Sequence, residues 1–342
     1  MDERTKKPYT DIKIGKEKDA VVEITGAVSA ETLEEHRRTV IKDLQKDFEA
    51  PGFRKGHVPE AMVEKGTKAS FLLEEAANSA LREVYPLIVD EYKLDVITPP
   101  DVKVTKLAFG NPLEFTLHVG VQPEIKLPDY KKIARKVIEQ GDKSIEVKDE
   151  EVRGVIEELR RLRTSEGETA PEITDEFVKS LGAFENVEDF KKKLKENIAL
   201  EKEIELKKKK REELARELAA AAKFPVPSML VENELIAVRD GLYEEINKNG
   251  ISKEDYFNRI GKKEEEFMNA QREAIKRQLK TKMLLEAIAK EEHIEPTEEE
   301  FKAEAAVLSS HYRDVDPLTL FRYVTEMLRN EKTLQFLETQ AK

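Results

Sequence analysis

The chain has no cysteine and no tryptophan. Without thiols there are no disulfides, no thiolate nucleophile and no Cys–zinc site, a composition that suits a reducing compartment. Glycine and proline, 14 residues each among 342, leave no room for collagen-like or linker-dominated architecture. Aromatic residues make up only 6%, which suits slender helices sharing modest cores better than an aromatic-rich strand sandwich. No segment approaches the ~20 apolar residues of a membrane-spanning helix. The opening stretch MDERTKKPYT is charged and has no apolar run behind it, so it does not read as a secretory signal. Chemical motifs are also scarce. No two glycines stand two apart, and no glycine-rich loop ends in Gly-Lys-Ser/Thr, so dinucleotide and ATP cradles are missing. The five histidines, His36, His57, His118, His293 and His311, are scattered without metal-ligand spacing. The expectation is a protein with no catalytic residues, no metal and no cofactor.

What is abundant is charge: 38% of residues, with a net charge of −11. Such a molecule is repelled by DNA and anionic lipid, so neither is an expected partner, and RNA contact requires a locally basic patch. A chain of this length exceeds one compact core and implies two or three domains. Val21 to Val28 (VVEITGAV) reads as a strand. Val102 to Phe109 and Leu113 to Val121 read as a hairpin turning at Gly110-Asn111-Pro112. Between them Thr32 to Phe48 and Lys68 to Tyr85 are helical, the second ended or kinked by Pro86.

After Pro128 the pattern is helical almost throughout. Val152, Ile156, Leu159 and Leu162 share one stripe. Asn186 is placed as the N-cap of a helix opening with Phe190, Leu194 and Ile198 and reaching toward Lys223. Leu235, Val238, Leu242 and Ile246 form a further stripe, Ser252 and Asp255 a capping box. Phe267 to Ile288 follows as a long helix; Thr297 and Glu300 open the next, with Phe301, Ala305, Leu308 and Tyr312 on one face, and Leu320 to Leu337 closes the chain. The basic run Lys207 to Arg211 is flanked by glutamates at helical pairing distance, which favours a solvated helix face over a nucleic-acid patch.

One segment departs from all this. Pro51-Gly52-Phe53-Arg54-Lys55-Gly56-His57-Val58-Pro59 joins two helices and holds no acidic residue. Two fates are open for Phe53: it folds back into its own domain, or it projects into a partner while Arg54 and Lys55 meet phosphate or carboxylate. Gly52-Phe53-Arg54-Lys55-Gly56 followed by Pro59 closely resembles the ribosome-docking signature of the trigger factor family, the bacterial chaperones of the peptide-tunnel exit. The segments Phe115 to Leu127, Val147 to Arg163 and Glu172 to Phe177 agree with that family in order.

The resemblance implies an α+β ribosome-binding domain at 1–130, a linker strand and helix at 131–170, and an elongated all-α substrate-binding domain with helical arms at 171–342. It implies an ATP-independent cytoplasmic holdase that docks through Gly52, Phe53, Arg54, Lys55, Gly56, His57 and Pro59. Its partners would be a tunnel-exit protein with nearby rRNA, and nascent or unfolded chains; a homodimer is left open. Val226, Met229 and Leu230, beside the Pro225-x-Pro227 break, are candidates for client contact, with core packing as their alternative fate. Two departures stand out: His57 replaces the family's usual Lys, and only Thr164 to Ala170 occupy the place of the prolyl-isomerase module. Without that module the chain is not expected to be an enzyme. A ribosome-independent holdase or assembly scaffold, and a prolyl isomerase, are the rival readings.

Overall fold

The computed structural model describes residues 7–140, 146–164, 170–311 and 316–341. The chain divides into two compact units, Met1–Glu124 with Phe224–Leu279, and Ile125–Lys223 with Lys280–Lys342. The first joins segments far apart in sequence, a grouping that the order of elements along the chain does not show.

The first unit holds an antiparallel sheet of β1 (Tyr9–Ile14), β2 (Val21–Val28), β3 (Asp101–Lys106) and β4 (Leu113–Gly120), in the spatial order β1-β2-β4-β3. β2 and β4 pair in unbroken register from Val21–Gly120 to Val28–Leu113. Alternation sends Ile24, Val28, Phe115 and Leu117 to one face, where they are buried. Three helices follow from the intervening sequence: α1 (Ala30–Gln45), α2 (Glu60–Gly66) and α3 (Ala69–Glu91). α1 starts where the Ser29 hydroxyl accepts the Thr32 amide at 3.0 Å. α3 contributes Ala76, Ala80, Val84 and Ile88 to the sheet core, the two alanines allowing close approach. Pro86 does not end α3, which runs five residues beyond it. The missing N–H costs one intrahelical bond, and burial of Ile88 carries the helix past the break.

The second unit begins with α4 (Tyr130–Gln140) and α5 (Asp149–Leu162), followed by α6 (Asp175–Leu181) and the 35-residue α7 (Val187–Ala221), about 52 Å long at 1.5 Å per residue. The Asn186 side chain accepts the Asp189 amide at 2.9 Å and caps α7. Val152 and Ile156 of α5 share a core with Val178 and Phe190. Leu162 does not belong to that stripe: it is 76% exposed, because the core ends before the last turn of α5. The chain continues through α8 (Ser228–Lys248) and α9 (Lys253–Arg259), both in the first unit, then α10 (Glu264–Glu291), α11 (Glu298–His311) and α12 (Pro317–Glu338). Leu235 and Ile246 of the α8 stripe are buried, whereas Val238 is exposed. Tyr312, assigned by periodicity to the Phe301 face, lies outside the described residues, as do 165–169 of the segment Thr164 to Ala170.

Of the Ser252–Asp255 box the cap forms, the serine hydroxyl accepting the Asp255 amide at 3.1 Å, while the Asp255 carboxylate accepts from the Ser252 hydroxyl at 2.8 Å. Thr297 and Glu300 cap α11 reciprocally: the Thr297 amide donates to Glu300 Oε2 at 2.7 Å, and the Glu300 amide to Thr297 Oγ1 at 3.2 Å. Lys332 donates to the same carboxylate at 2.7 Å. Lys332, then these caps, hold the Glu300 carboxyl down at about 2. A depressed acid contributes stability that is complete above its unfolded value and lost as pH falls through the folded one. Glu300→Ala is therefore expected to melt below the parent chain at pH 6, with the gap in Tm closing as the pH is lowered toward 2.

Candidate functional site

The loop between α1 and α2 is built on a small core of its own. Ile41 of α1, Val58 of the loop, Val63 of α2 and Leu72 of α3 are buried together, with Phe48 partly buried against them. Gly66 admits the Phe48 ring: a Cβ there would stand 2.5 Å from its Cζ. Val58 is completely buried, and the Gln45 side-chain amide donates to its carbonyl at 2.6 Å. The root of the loop is thus fixed by packing and by a side chain from the helix before it.

Above that root the backbone makes two successive turns. The Phe53 amide donates to the Ala50 carbonyl at 3.1 Å, and the His57 amide to the Arg54 carbonyl at 2.9 Å. Gly52 and Gly56 occupy the third position of each turn with φ of 86° and 80°. This left-handed conformation belongs to type II turns and favours glycine for steric reasons. Pro51 supplies the fixed φ suited to the second position of the first turn, and Pro59 leads into α2 at φ −56°.

Phe53 lies 43% exposed on the first turn and is not folded back into the core of its own domain. Arg54, Lys55 and His57 are exposed beside it. Among the described residues no carboxylate lies within ion-pair distance of Arg54. Lys55 Nζ meets Asp47 Oδ1 at 2.9 Å, a contact that raises the lysine and lowers the aspartate from their ordinary values. Both ends of this pair are in water, so salt screens it and a stronger anion can displace Asp47. The arrangement offers a ring, one unpaired guanidinium and one weakly held ammonium on a seated scaffold. Among the described residues no cluster of side chains on it could hold a metal ion.

The client candidates fare differently. Val226 is only 6% exposed, so of its two open fates it takes core packing. Met229 and Leu230 are half-buried at the start of α8, where Met229 Sδ lies 4.0 Å from the Thr98 hydroxyl. Exposed apolar side chains occur in both units; those of the second include Leu200 and Ile204 on α7, and Leu318, Phe321 and Tyr323 on α12. The Phe321 and Phe301 rings are 4.9 Å apart. The missed signal lay in Leu318, Leu320, Phe321, Tyr323 and Val324, which point to too many sides of one helix for a single neighbour to cover. The basic run is absorbed structurally. Arg211 binds Glu331 through two 2.8 Å bonds and also engages Glu338, while Lys209 pairs with Glu205.

The family model for the N-terminal part of bacterial trigger factor matches residues 10–159, and that for the trigger factor C-terminus matches residues 186–341. The chain belongs to the trigger factor family. The trigger factor of Agathobacter rectalis is 24% identical over 383 residues, with 85% of each chain covered. That of Clostridium beijerinckii is 24% identical over 424 residues, covering 96% of this chain and 99% of the relative. The latter alignment is longer than the entire 342-residue chain, so that relative carries residues this chain lacks. A solved structure described as "Promiscuous Substrate Recognition in Folding and Assembly Activities of the Trigger Factor Chaperone" is 18% identical, covers 97% of this chain and all of that one, and has a TM-score of 0.56. It has the same fold. The multidomain fold expected from the sequence, an α+β part and a helical part, is thereby found. As a member of the family the chain is an ATP-independent, ribosome-associated chaperone whose partners are ribosomes and nascent or unfolded polypeptides. Between the two matched regions stand only residues 160–185, far short of the ~50 residues that a domain such as a prolyl isomerase requires.

Proposed function

We propose that Gly52–Pro59 is the element that docks this chaperone at the ribosomal peptide exit. Phe53 enters an apolar pocket on a tunnel-rim protein, while Arg54 and Lys55 meet carboxylates of that protein or phosphates of nearby rRNA. The single observation that carries this reading is a phenylalanine held 43% exposed on a loop whose root is fully buried. Leaving the ring 43% in water forgoes about 1 kcal/mol of burial. Capture by a partner recovers it without first ordering the loop. Gly52, Gly56 and Pro59 act by shaping the turns, and His57 adds a titratable ring at the rim.

In this reading residues 1–130 carry docking, 131–170 form the link and 171–342 serve the client. The exposed side chains of α7 and α12 hold unfolded chains by apolar contact. Affinity stays modest because each contact is small, so release needs no nucleotide; it follows when the client buries its own core. The same surfaces serve a homodimer when no client occupies them. The setting is the cytoplasm, where ribosomes emit new chains; no described helix is long and apolar enough to cross a membrane.

Co-sedimentation with 70S ribosomes tests the reading. The parent chain pellets with them, whereas a chain that stays in the supernatant while still suppressing client aggregation is a ribosome-independent holdase. The shortness of residues 160–185 supports a further point, that the chain lacks prolyl-isomerase activity. A proline-containing test peptide should isomerise at its uncatalysed rate, and turnover above background would reveal an overlooked active site.

A further inference from the structure

β3 forms one edge of the sheet, and all six of its residues are exposed. One row of its backbone groups therefore has no neighbouring strand. Alternation places Val102 and Val104 on one face of the strand and Asp101, Lys103 and Thr105 on the other. Beside the first face runs a groove of about 310 Å³ between α3 and the sheet, lined by Leu81, Tyr85, Pro100, Val102 and Leu117, with Arg82 and Asn78 also on its wall. The Tyr85 hydroxyl is buried and has no hydrogen-bond partner among the described residues.

We propose that this edge and groove form a second polypeptide-binding site, which takes one short extended segment of an unfolded chain as an added strand. Backbone hydrogen bonds to β3 supply affinity for any sequence, and alternate side chains supply selectivity. Apolar side chains of the segment lie beside Val102 and Val104, over the groove lined by Leu81, Pro100 and Leu117. The residue between them falls on the opposite face beside Lys103. Lys106 on this strand is already engaged by Glu114 at 3.3 Å. Lys103 has no carboxylate within ion-pair distance among the described residues. Charge complementarity therefore selects an acidic residue flanked by apolar ones. The length of the added strand is limited as well. Pairing of β3 with β4 shifts register between Val104 and Lys106, so regular edge geometry spans only Asp101–Val104. A lysine at its centre and a bulge at its end restrain the edge from open-ended stacking, so it suits one transient strand rather than an aggregate.

This site does not depend on ribosome docking and shares with it only the premise that the chain's clients are unfolded polypeptides. The test uses the full chain and a dye-labelled, acetylated and amidated pentapeptide, Thr-Val-Glu-Phe-Thr, followed by anisotropy. The parent chain is expected to bind it at least 10-fold more tightly than does Val102→Glu, with Val102→Ile retaining affinity. Lys103→Glu should reverse the preference between this probe and its Lys-centred counterpart. Backbone N-methylation of the probe should abolish binding although its side chains are unchanged. Both positions altered in the chain are surface positions, and melting curves confirm that the three variants fold. Equal binding of the N-methylated probe, or an unchanged charge preference in Lys103→Glu, overturns the proposal. So does the absence of probe binding together with a dimer in sedimentation that Val102→Glu dissolves, which would make a second copy of this chain the occupant. Should the probe fail while ribosome pelleting persists, this inference falls and the docking assignment stands.

Discussion

Phe53→Ala combined with Arg54→Ala is expected to weaken binding to 70S ribosomes by roughly 100-fold, with no change in melting temperature beyond about a degree or two. A central aromatic anchor that loses its pocket costs ~2 kcal/mol, and a charge-assisted contact adds about 1 kcal/mol. About 3 kcal/mol corresponds to that factor in Kd. Folding is spared because both side chains stand in water, where substitutions typically change stability by less than ~0.5 kcal/mol. Raising the salt concentration should weaken the parent chain more than the variant, since Arg54 contributes to only one of them. Lys55 shifts less than Arg54 in the same assay, because Asp47 already occupies it at 2.9 Å.

Val58→Asp is expected to be the most damaging change in the loop, though Val58 offers nothing to a partner. Its side chain is fully buried with Ile41, Val63 and Leu72. A carboxylate there has no cation to meet, and burying it costs about 3 kcal/mol or more unless the cluster opens. The root of the loop then loosens, so stability and ribosome affinity fall together. Val58→Ala makes a smaller void and should cost about 2 kcal/mol with a partial loss of affinity. Circular dichroism melts run beside ribosome titrations separate the two kinds of residue: Phe53 and Arg54 move only the second, Val58 moves both. A normal melt for Val58→Asp would show that the loop is not seated as described.

The elements legible in the sequence were those whose signal is local. β2 and β4 alternate cleanly, and the caps at Asn186, Ser252 and Thr297 form as their spacing implies. The loop was legible for a similar reason, since glycines at Gly52 and Gly56 and prolines at Pro51 and Pro59 specify turns without reference to the rest of the chain. β1 was not foreseen: its pairing is interrupted by a register shift between Thr10 and Lys13, with Asp11 at φ 57°, which blurs the period of two. Its anchor, the Tyr9 hydroxyl on Glu91, joins residues far apart in sequence. The fate of Val226 stayed open and Leu162 left the stripe assigned to it for one reason. Whether an apolar residue is covered depends on which distant element reaches it, and periodicity along one helix carries no such information. The membership of Phe224–Leu279 in the first compact unit is long-range in the same sense.

An exposed ring and guanidinium on a seated loop are expected to tether this chaperone to the ribosome. Because the chain has no cysteine, a single thiol can be introduced and labelled. Gly241→Cys is suitable, since Gly241 is helical and its Cβ position has no heavy atom within 4 Å. Fluorescence anisotropy of that label, titrated with 70S ribosomes, reads Kd directly for the parent loop and for the Phe53→Ala/Arg54→Ala loop. The expected result is a saturating curve for the first and a midpoint displaced by roughly 100-fold for the second. Superimposable curves would contradict the account.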